Sequence, residues 1–215
     1  MHTRRHILLS GTCLTLLSIS ACAQDQPVEN LETKVRDDLY ACQGCEGASE
    51  PDPASLSHRT VIAGADEPGE PLHVFGTVYH TDGTTPAADI VLYFYHTNAE
   101  GLYAGGSDKT QQSRLHGRLR GWVKTGSDGR YHVITIKPAP YPDGTTPAHI
   151  HPTVLEPGKP PYWIDNVVFD GEFGVTSAYK RKMTDKGGTG IVPLSKDAEG
   201  TWIAVRDIIL EHHPE

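Results

Sequence analysis

The sequence is poor in cysteine, poor in basic residues, and without an apolar run long enough to cross a membrane. Its 4 cysteines in 215 residues leave room for very few disulfides. Its 19 Lys and Arg residues are outnumbered by 27 Asp and Glu residues, and the net charge of −8 argues against nucleic acid and anionic lipid as partners. The N-terminal apolar run, at residues 7–19, is shorter than the roughly 20 residues that a transmembrane helix needs.

The first 21 residues have the features of an export signal. Arg4-Arg5 forms a basic start, the apolar run follows, and Ile19-Ser20-Ala21-Cys22 resembles the cleavage box of a bacterial lipoprotein. We therefore predict a signal peptide at residues 1–21 and a lipid anchor on Cys22, with an ordinary secretory signal as the alternative. The expected location is the bacterial cell envelope, and Ala23 mildly favours the outer membrane. The arginine pair leaves both the general and the twin-arginine export routes open.

Residues 22–57 are predicted to form a tether, a short helix at residues 30–40, and a linker that contains Cys42-Gln43-Gly44-Cys45. In an oxidising compartment, a local disulfide between the two cysteines is the favoured interpretation. A thioredoxin-like redox motif lacks a surrounding βαβ pattern, and a zinc site lacks two further ligands nearby.

From residue 72 onward, the apolar pattern changes to short strands separated by turn residues. Residues 89–97 are largely apolar and aromatic, which is typical of a buried central strand, and the polar stretch 98–119 is expected to be a long loop. Ser127-Asp128-Gly129 predicts a hairpin between its flanking strands. We expect an all-β fold, with residues 58–215 in one antiparallel β-sandwich. The predicted strands lie at residues 72–79, 89–97, 121–124, 131–137, 149–155, 162–169, 190–194 and 201–210.

His149 and His151 are two residues apart on one of these strands. Because side chains alternate along a strand, both rings point to the same face and can bind one metal ion. Tyr141 precedes them in a proline-rich loop that can fold its phenol back over the pair. The alternatives are an incidental pair of histidines, or a cupin site that uses Glu156. The glycine spacing of a cupin is missing around the pair, and no second cupin motif follows.

Several short motifs between residues 59 and 210 form an ordered set. They are Asp66-Glu67-Pro68-Gly69-Glu70-Pro71-Leu72, Phe75-Gly76-Thr77-Val78, Asn98-Ala99-Glu100-Gly101-Leu102-Tyr103, Arg120-Gly121, Asp128-Gly129-Arg130-Tyr131, Thr135-Ile136-Lys137-Pro138, Pro140-Tyr141-Pro142 and Pro147-Ala148-His149-Ile150-His151. In order and spacing this set resembles the intradiol ring-cleavage dioxygenases, which are ferric non-haem enzymes acting on catechols and protocatechuate.

The resemblance implies Fe(III) held by two tyrosines and two histidines. Matched to this sequence, the metal ligands are Tyr103, Tyr141, His149 and His151, with Tyr141 and His151 axial. Hard ferric iron suits phenolate oxygen better than thiolate sulfur, and its charge balances two phenolates and one hydroxide. The implied partners are a small aromatic diol and O2, and the implied reaction opens the ring between its two hydroxyl carbons to a muconate-type diacid. Tyr141 is the implied catalytic residue, because it would leave the metal and take a catechol proton.

The sequence departs from the family pattern beside the histidines. Thr146 stands where the family usually has an arginine that stabilises charge on the substrate ring, and Asn166 stands where it has a glutamine. Arg114, Arg118 or Arg120 is a hypothetical replacement for that cation. The alternative function is a non-catalytic envelope lipoprotein that keeps the sandwich as a binding module. Catechol-type members carry an N-terminal helical dimerisation segment for which this chain has little room, so the oligomeric state stays open.

Overall fold

The computed structural model describes residues 35–105 and 110–215. The predicted signal peptide, the anchor position Cys22 and most of the predicted tether and helix lie outside the described residues. The strands are β1 (Arg59–Val61), β2 (Pro71–Tyr79), β3 (Val91–His96), β4 (Arg120–Lys124), β5 (Arg130–Ile136), β6 (His149–Leu155), β7 (Tyr162–Trp163), β8 (Val167–Phe169), β9 (Ile191–Val192), β10 (Leu194–Lys196), β11 (Trp202–Val205) and β12 (Ile208–Ile209). The helices are α1 (Gln111–His116) and α2 (Ser177–Lys180), with 3₁₀ turns at Cys45–Ser49 and Pro53–Ser55.

The strands form two sheets that pack as a sandwich. The first sheet has the order β1-β5-β2-β11-β10, with β12 also paired to β2, and the second has the order β4-β3-β6-β8-β9, with β7 paired to β6. The longest ladders, β2 with β5 and β3 with β6, are antiparallel. The pairs β1–β5, β2–β11, β2–β12 and β8–β9 are parallel. The predicted all-β sandwich is confirmed, and its sheets contain parallel as well as antiparallel pairs.

The core lies between the two sheets. Leu72, Val74 and Val78 alternate along β2, and each is at most 1% exposed. They pack in one cluster with Leu92 and Phe94 of β3, which lies between two partner strands and is buried along most of its length. Burying each such side chain contributes about 1.5–3 kcal/mol, so this cluster stabilises the frame that carries β6. The prediction of a buried central strand at residues 89–97 is confirmed.

The hairpin predicted around Ser127-Asp128-Gly129 is wrong. The turn is present, since Gly129 N donates to the Gly126 carbonyl at 2.9 Å, but its two flanking strands belong to different sheets. Thr125 N bonds to the Ile90 carbonyl in the second sheet, whereas the Gly129 carbonyl accepts from Val78 N in the first sheet. One further bond crosses the turn, from Gly126 N to the Arg130 carbonyl at 3.3 Å, but β4 and β5 form no ladder because β4 pairs with β3 and β5 pairs with β2.

Three other local predictions change in the structure. Residues 37–40, within the predicted helix 30–40, form a turn in which Leu39 is fully buried while Val35 is 49% exposed. The long loop 98–119 contains α1, whose N-cap Thr110 accepts a hydrogen bond from Ser113 N. The strand predicted at residues 162–169 is divided into β7 and β8, and the one at 201–210 into β11 and β12. The one at 190–194 is divided into β9 and β10, which belong to different sheets. The pieces β7 and β8 both pair with β6, at its two ends, and β11 and β12 both pair with β2, at successive stretches of that strand.

Cys42 and Cys45 form a disulfide, as the sequence predicts. Cys45 is 3% exposed and begins a 3₁₀ turn that packs against β3 and β6. Within residues 35–105 and 110–215, the helices are too short and too polar to span a membrane.

Candidate metal centre

The candidate histidine pair stands at the start of β6, which has the predicted bounds. His149 and His151 are the first and third residues of the strand, so their rings share one face, and their Nε2 atoms are 2.9 Å apart. The strand is held on one side by β3, where Tyr95 lies directly opposite His151 in the ladder. The central position of β6 therefore gives the pair a rigid base.

Two loops bring tyrosines to the same face. Tyr103 follows β3, and Tyr141 lies in the connection from β5 to β6. The two loops pack tightly, because a Cβ on Gly101 would lie only 2.1 Å from the Pro140 carbonyl oxygen. Gly101 also has a φ of 79°, a left-handed conformation that favours glycine. Any larger residue at this position would push the two tyrosine loops apart.

The polar tips of the four predicted ligands converge. Tyr103 Oη is 2.6 Å from Tyr141 Oη and 2.9 Å from His151 Nε2, which in turn is 2.9 Å from His149 Nε2. We call Tyr103, Tyr141, His149 and His151 the four-residue cluster. No group of three or more His, Cys, Asp or Glu side chains that could hold a metal occurs in the described part of the chain. Metal binding at the cluster would therefore depend on its two phenols.

The donor types of the cluster fit a hard trivalent cation. Two phenol oxygens and two imidazole nitrogens meet at one point, and no thiol is among them. Phenolate oxygen is a hard ligand, and imidazole is a common ligand of iron. The arrangement is thus chemically suited to Fe(III).

Each histidine of the cluster is oriented by a neighbour. His149 Nδ1 donates to the Pro147 carbonyl at 2.7 Å, which leaves Nε2 free to act as a donor atom towards a metal. The His151 ring stacks on Tyr95, with centroids 4.4 Å apart and planes 13° apart. Tyr95 stacks in turn on His116 at 3.7 Å. His151 is therefore held by an aromatic stack, together with a hydrogen bond to the Asn166 side chain.

Burial sets the protonation of the cluster. Burial lowers the pKa of His151 to about 3, with the neighbouring His149 adding to the shift, and burial also lowers the pKa of His149. Both imidazoles are therefore neutral at neutral pH, which is the state that binds metal. Burial, followed by the hydrogen bond from Tyr141, raises the pKa of Tyr103. Tyr103 thus becomes a phenolate only beside a strong positive charge.

A cavity of about 390 Å³ opens beside His151. Its wall includes Tyr95, Trp163, Asn166 and the disulfide loop Cys42-Gln43-Gly44-Cys45. Of the four-residue cluster, only His151 lines this cavity, so the cavity borders the cluster on one side. The segment that the sequence suggests is part of a linker thus forms a wall of the candidate binding space.

The three arginines considered as substitutes for the missing cation do not line this cavity. Arg118 pairs with Glu67 at 2.8 Å, and Arg120 pairs with Glu50 at 2.7 Å. Thr146 lies in the turn that follows Tyr141, and its carbonyl accepts from Tyr141 N at 3.3 Å. Asn166 lines the cavity between β7 and β8, at the break in the predicted strand.

Sequence reasoning missed the role of Tyr95 and of the disulfide loop. Tyr95 looks like an ordinary core aromatic in the sequence, yet it separates His116 from His151. The only sequence signal for Tyr95 is strand alternation, which places Tyr93 and Tyr95 on the same face of the predicted strand. His96 is buried and bonded to Thr97 and Thr135, so it supports the frame and does not line the cavity.

Comparison with known proteins gives a family match that covers the cluster. A family model described as "Dioxygenase" matches residues 49–177, which include Tyr103, Tyr141, His149 and His151. A chlorocatechol 1,2-dioxygenase from Pseudomonas sp. strain P51 is 32% identical over 184 residues, which cover 76% of this chain and 69% of that protein. A catechol 1,2-dioxygenase from Acinetobacter lwoffii is 32% identical over 142 residues, which cover 53% of this chain and 45% of that protein.

The fold also has solved relatives. The dioxygenase domain of a dioxygenase–carbohydrate-binding protein fusion from Streptomyces sp. SirexAA-E aligns with a TM-score of 0.53 and 25% identity, covering 75% of this chain and 91% of that one. The chain spans between about half and two thirds of the length of the first curated relatives it matches.

Proposed function

Because the chain belongs to the intradiol ring-cleavage dioxygenase family, we propose that it is a non-haem iron(III) enzyme that cleaves a catechol-type ring with O2. The observation that carries the proposal is the convergence of two phenol oxygens and two imidazole nitrogens, which are linked in a chain by three contacts of 2.6–2.9 Å. Such a set of hard and borderline donors suits ferric iron.

Tyr103, Tyr141, His149 and His151 would hold the iron. When bound, Fe(III) would supply the positive charge that turns the phenols into phenolates and would bring the diol and O2 into one reaction. The neutral imidazoles of the two histidines lose no proton on binding and add no negative charge. The positive charge of the metal would therefore be balanced by the phenolates and the substrate.

Tyr141 would act as the base for the substrate. Its Oη would accept a proton from one catechol hydroxyl. In the overall reaction, the bond between the two hydroxyl-bearing carbons breaks, and each of those carbons gains one oxygen atom of O2. The ring supplies the electrons, and the product is a muconate-type diacid, so no external reductant is consumed.

The cavity beside His151 would receive the ring. Its volume of about 390 Å³ lies within the range of roughly 300–1,000 Å³ that small-molecule sites occupy. Tyr95 and Trp163 give it aromatic faces, and Asn166 gives it a polar group next to His151. The partners proposed are therefore a small aromatic diol and O2, with no nucleic acid.

We further propose that the protein is exported and lipid-anchored through Cys22 in the bacterial cell envelope, with residues 58–215 as the dioxygenase domain. The Cys42–Cys45 disulfide supports this proposal, because disulfides persist in oxidising compartments. Labelling with a radioactive fatty acid tests it: Cys22→Ala should abolish labelling, and undiminished labelling of that variant would refute the anchor.

The activity is tested by iron loading, visible absorption and O2 uptake. The iron-loaded protein should be coloured by ferric tyrosinate, and anaerobic catechol should shift the band. Tyr141→Phe should weaken the band and lower kcat for catechol by about 100-fold or more, as loss of a general base does. Protein that stays colourless and iron-free after loading would refute the proposal. Coloured protein that consumes no O2 with any catechol would favour a binding module, an alternative that the named relatives do not favour.

A further inference from the structure

We propose that the cavity beside His151 selects catechols with an uncharged ring substituent and discriminates against those with a carboxylate, and that the disulfide loop and Trp163 form the wall that sets this preference. The inference rests on the proposed function, because it assigns the substrate class of the same site. Its three supports are the rigidity of the wall, its chemical character and the charge around it.

The disulfide loop is held firmly against the second sheet. Cys45 Sγ lies 3.9 Å from Thr153 Oγ1 on β6, the strand that carries the histidine pair. Two residues further on, the Gly47 carbonyl accepts from Trp122 Nε1 at 2.8 Å, and a Cβ on Gly47 would lie 2.8 Å from the Tyr93 ring. The loop is therefore fixed in place by β3, β4 and β6, and it behaves as part of the cavity rather than as a free linker.

Trp163 forms another part of the wall. It is 37% exposed, and Lys186 Nζ lies 3.9 Å from its ring centroid. Lys186 is only 1% exposed, does not line the cavity, and bonds through Nζ to the Leu39 carbonyl at 3.4 Å. A buried cation thus holds the indole, which leaves an aromatic surface of limited mobility for a ring substituent.

The charges of the wall are unfavourable to a carboxylate substituent on the substrate ring. Among the residues that the structure describes, the lining of this cavity contains no lysine or arginine. The acidic residue among these described lining residues, Asp165, is 5% exposed, and its carboxylate accepts hydrogen bonds from Thr184 N and Oγ1. A carboxylate on the substrate ring would lose hydration against this described part of the wall without gaining a cationic partner from it, which is costly.

The size and surface of the cavity favour an apolar or neutral polar extension. At about 390 Å³ the cavity has space beyond a single dihydroxybenzene ring, and Met183, Tyr179 and Trp163 lie along its wall. Thioether and aromatic groups adapt well to alkyl and aryl substituents. The net charge of −8 for the whole chain acts in the same direction, because it repels anionic substrates at a distance.

A matched pair of ligands tests the charge preference. Protocatechuate and its primary amide have nearly the same shape, and only the former carries a carboxylate. Isothermal titration calorimetry of the iron-loaded protein under argon should show about tenfold tighter binding of the amide. The same order is expected for kcat/KM in O2 uptake. Equal or tighter binding of protocatechuate would overturn the inference.

A charge added to the wall should reverse the preference in part. Gln43 is exposed in the disulfide loop, so Gln43→Lys should fold and should raise the affinity ratio of protocatechuate to amide by about fivefold. The control is Thr84→Lys, an exposed position in the turn after β2 that does not line the cavity. It adds the same charge and should leave the ratio within about twofold of the original. An equal ratio change in both variants would refute the wall assignment.

The two proposals fail in different ways. Absence of O2 uptake with every catechol would refute the dioxygenase activity, while calorimetry would still measure which ligand of the pair binds better. O2 uptake with no preference between the amide and protocatechuate would leave the activity standing and refute the selectivity. Neither result can be mistaken for the other.

Discussion

In the four-residue cluster, His149 and His151 come from one central strand and the two tyrosines from loops that pack against each other. In the cavity beside it, the wall comes from the N-terminal disulfide loop, the break between β7 and β8, and the region around α2. His149 is 5% exposed, whereas Trp163 is 37% exposed. The two histidines that would hold the metal thus stand on a central strand, and the two tyrosines stand on tightly packed, half-buried loops. Those that would meet the substituent stand on shorter, less regular elements.

Replacing a residue of the four-residue cluster should have the largest effect on metal binding. His149→Ala should remove one of four donor atoms and leave a gap in a buried site, so iron affinity should fall by more than the roughly 10–100-fold typical of losing a residue that only orients a ligand. Iron content after loading and desalting measures the effect. His58→Ala, at an exposed histidine, is the matched control and should keep its iron. Full iron retention by His149→Ala would contradict the ligand assignment.

The frame beneath the cluster can be tested through pH. Burial lowers the pKa of His96 to about 4, although the hydrogen bond from Nδ1 to the Thr97 carbonyl at 2.7 Å acts in the opposite direction, and Nε2 lies 2.7 Å from Thr135 Oγ1. The pKa of His96 in the folded state is below its unfolded value of about 6.5. The contribution of His96 to the free energy of unfolding is therefore fully present above about pH 6.5 and is lost as the pH falls towards 4.

Between pH 7 and pH 5, His96 should cost the wild-type protein about 2 kcal/mol of unfolding free energy. His96→Gln should be less stable than wild type at pH 7 but should lose correspondingly less on acidification. Guanidinium titrations at both pH values measure the difference, and His58→Gln serves as the control. Identical pH dependence in wild type and His96→Gln would show that His96 is not the titrating group.

Tyr95 links the two regions, since it stacks on His151 and also lines the cavity. Tyr95→Leu should free the His151 ring, lower iron affinity by about tenfold and shift the ferric absorption band. Tyr95→Phe keeps the stacked ring and should retain both properties. If both variants bind iron as wild type does, Tyr95 is only a core residue and has no positioning role.

The smallest expected effect separates the cavity from the cluster. Trp163→Ala should leave iron content and the visible band unchanged, because Trp163 touches none of the four donor atoms. It should raise KM for tert-butylcatechol by about fivefold through lost aromatic contact, with a smaller change for catechol. Equal changes in KM for the two substrates would mean that Trp163 does not contact the substituent.

The sequence predicted the cluster better than it predicted the cavity. The alternation of His149 and His151, the bounds of β6 and the burial of residues 89–97 follow from local period-two patterning, which the structure confirms. The hairpin at Ser127-Asp128-Gly129 failed because turn chemistry is local, whereas strand pairing is a competition among distant partners. The cavity was missed because Cys45 meets Thr153 across 108 residues.

By itself, the sequence determined that the fold is a β-sandwich and which four residues are candidate metal ligands, since strand periodicity and an ordered set of motifs are encoded in short stretches. Only the tertiary structure decided that the two tyrosine loops close over one face of β6 and that the disulfide loop and Trp163 wall a cavity beside His151. The physical reason is that side-chain alternation needs only neighbouring residues. The shape and charge of a cavity depend instead on which remote segments pack together, and that choice is made by the burial of the whole core.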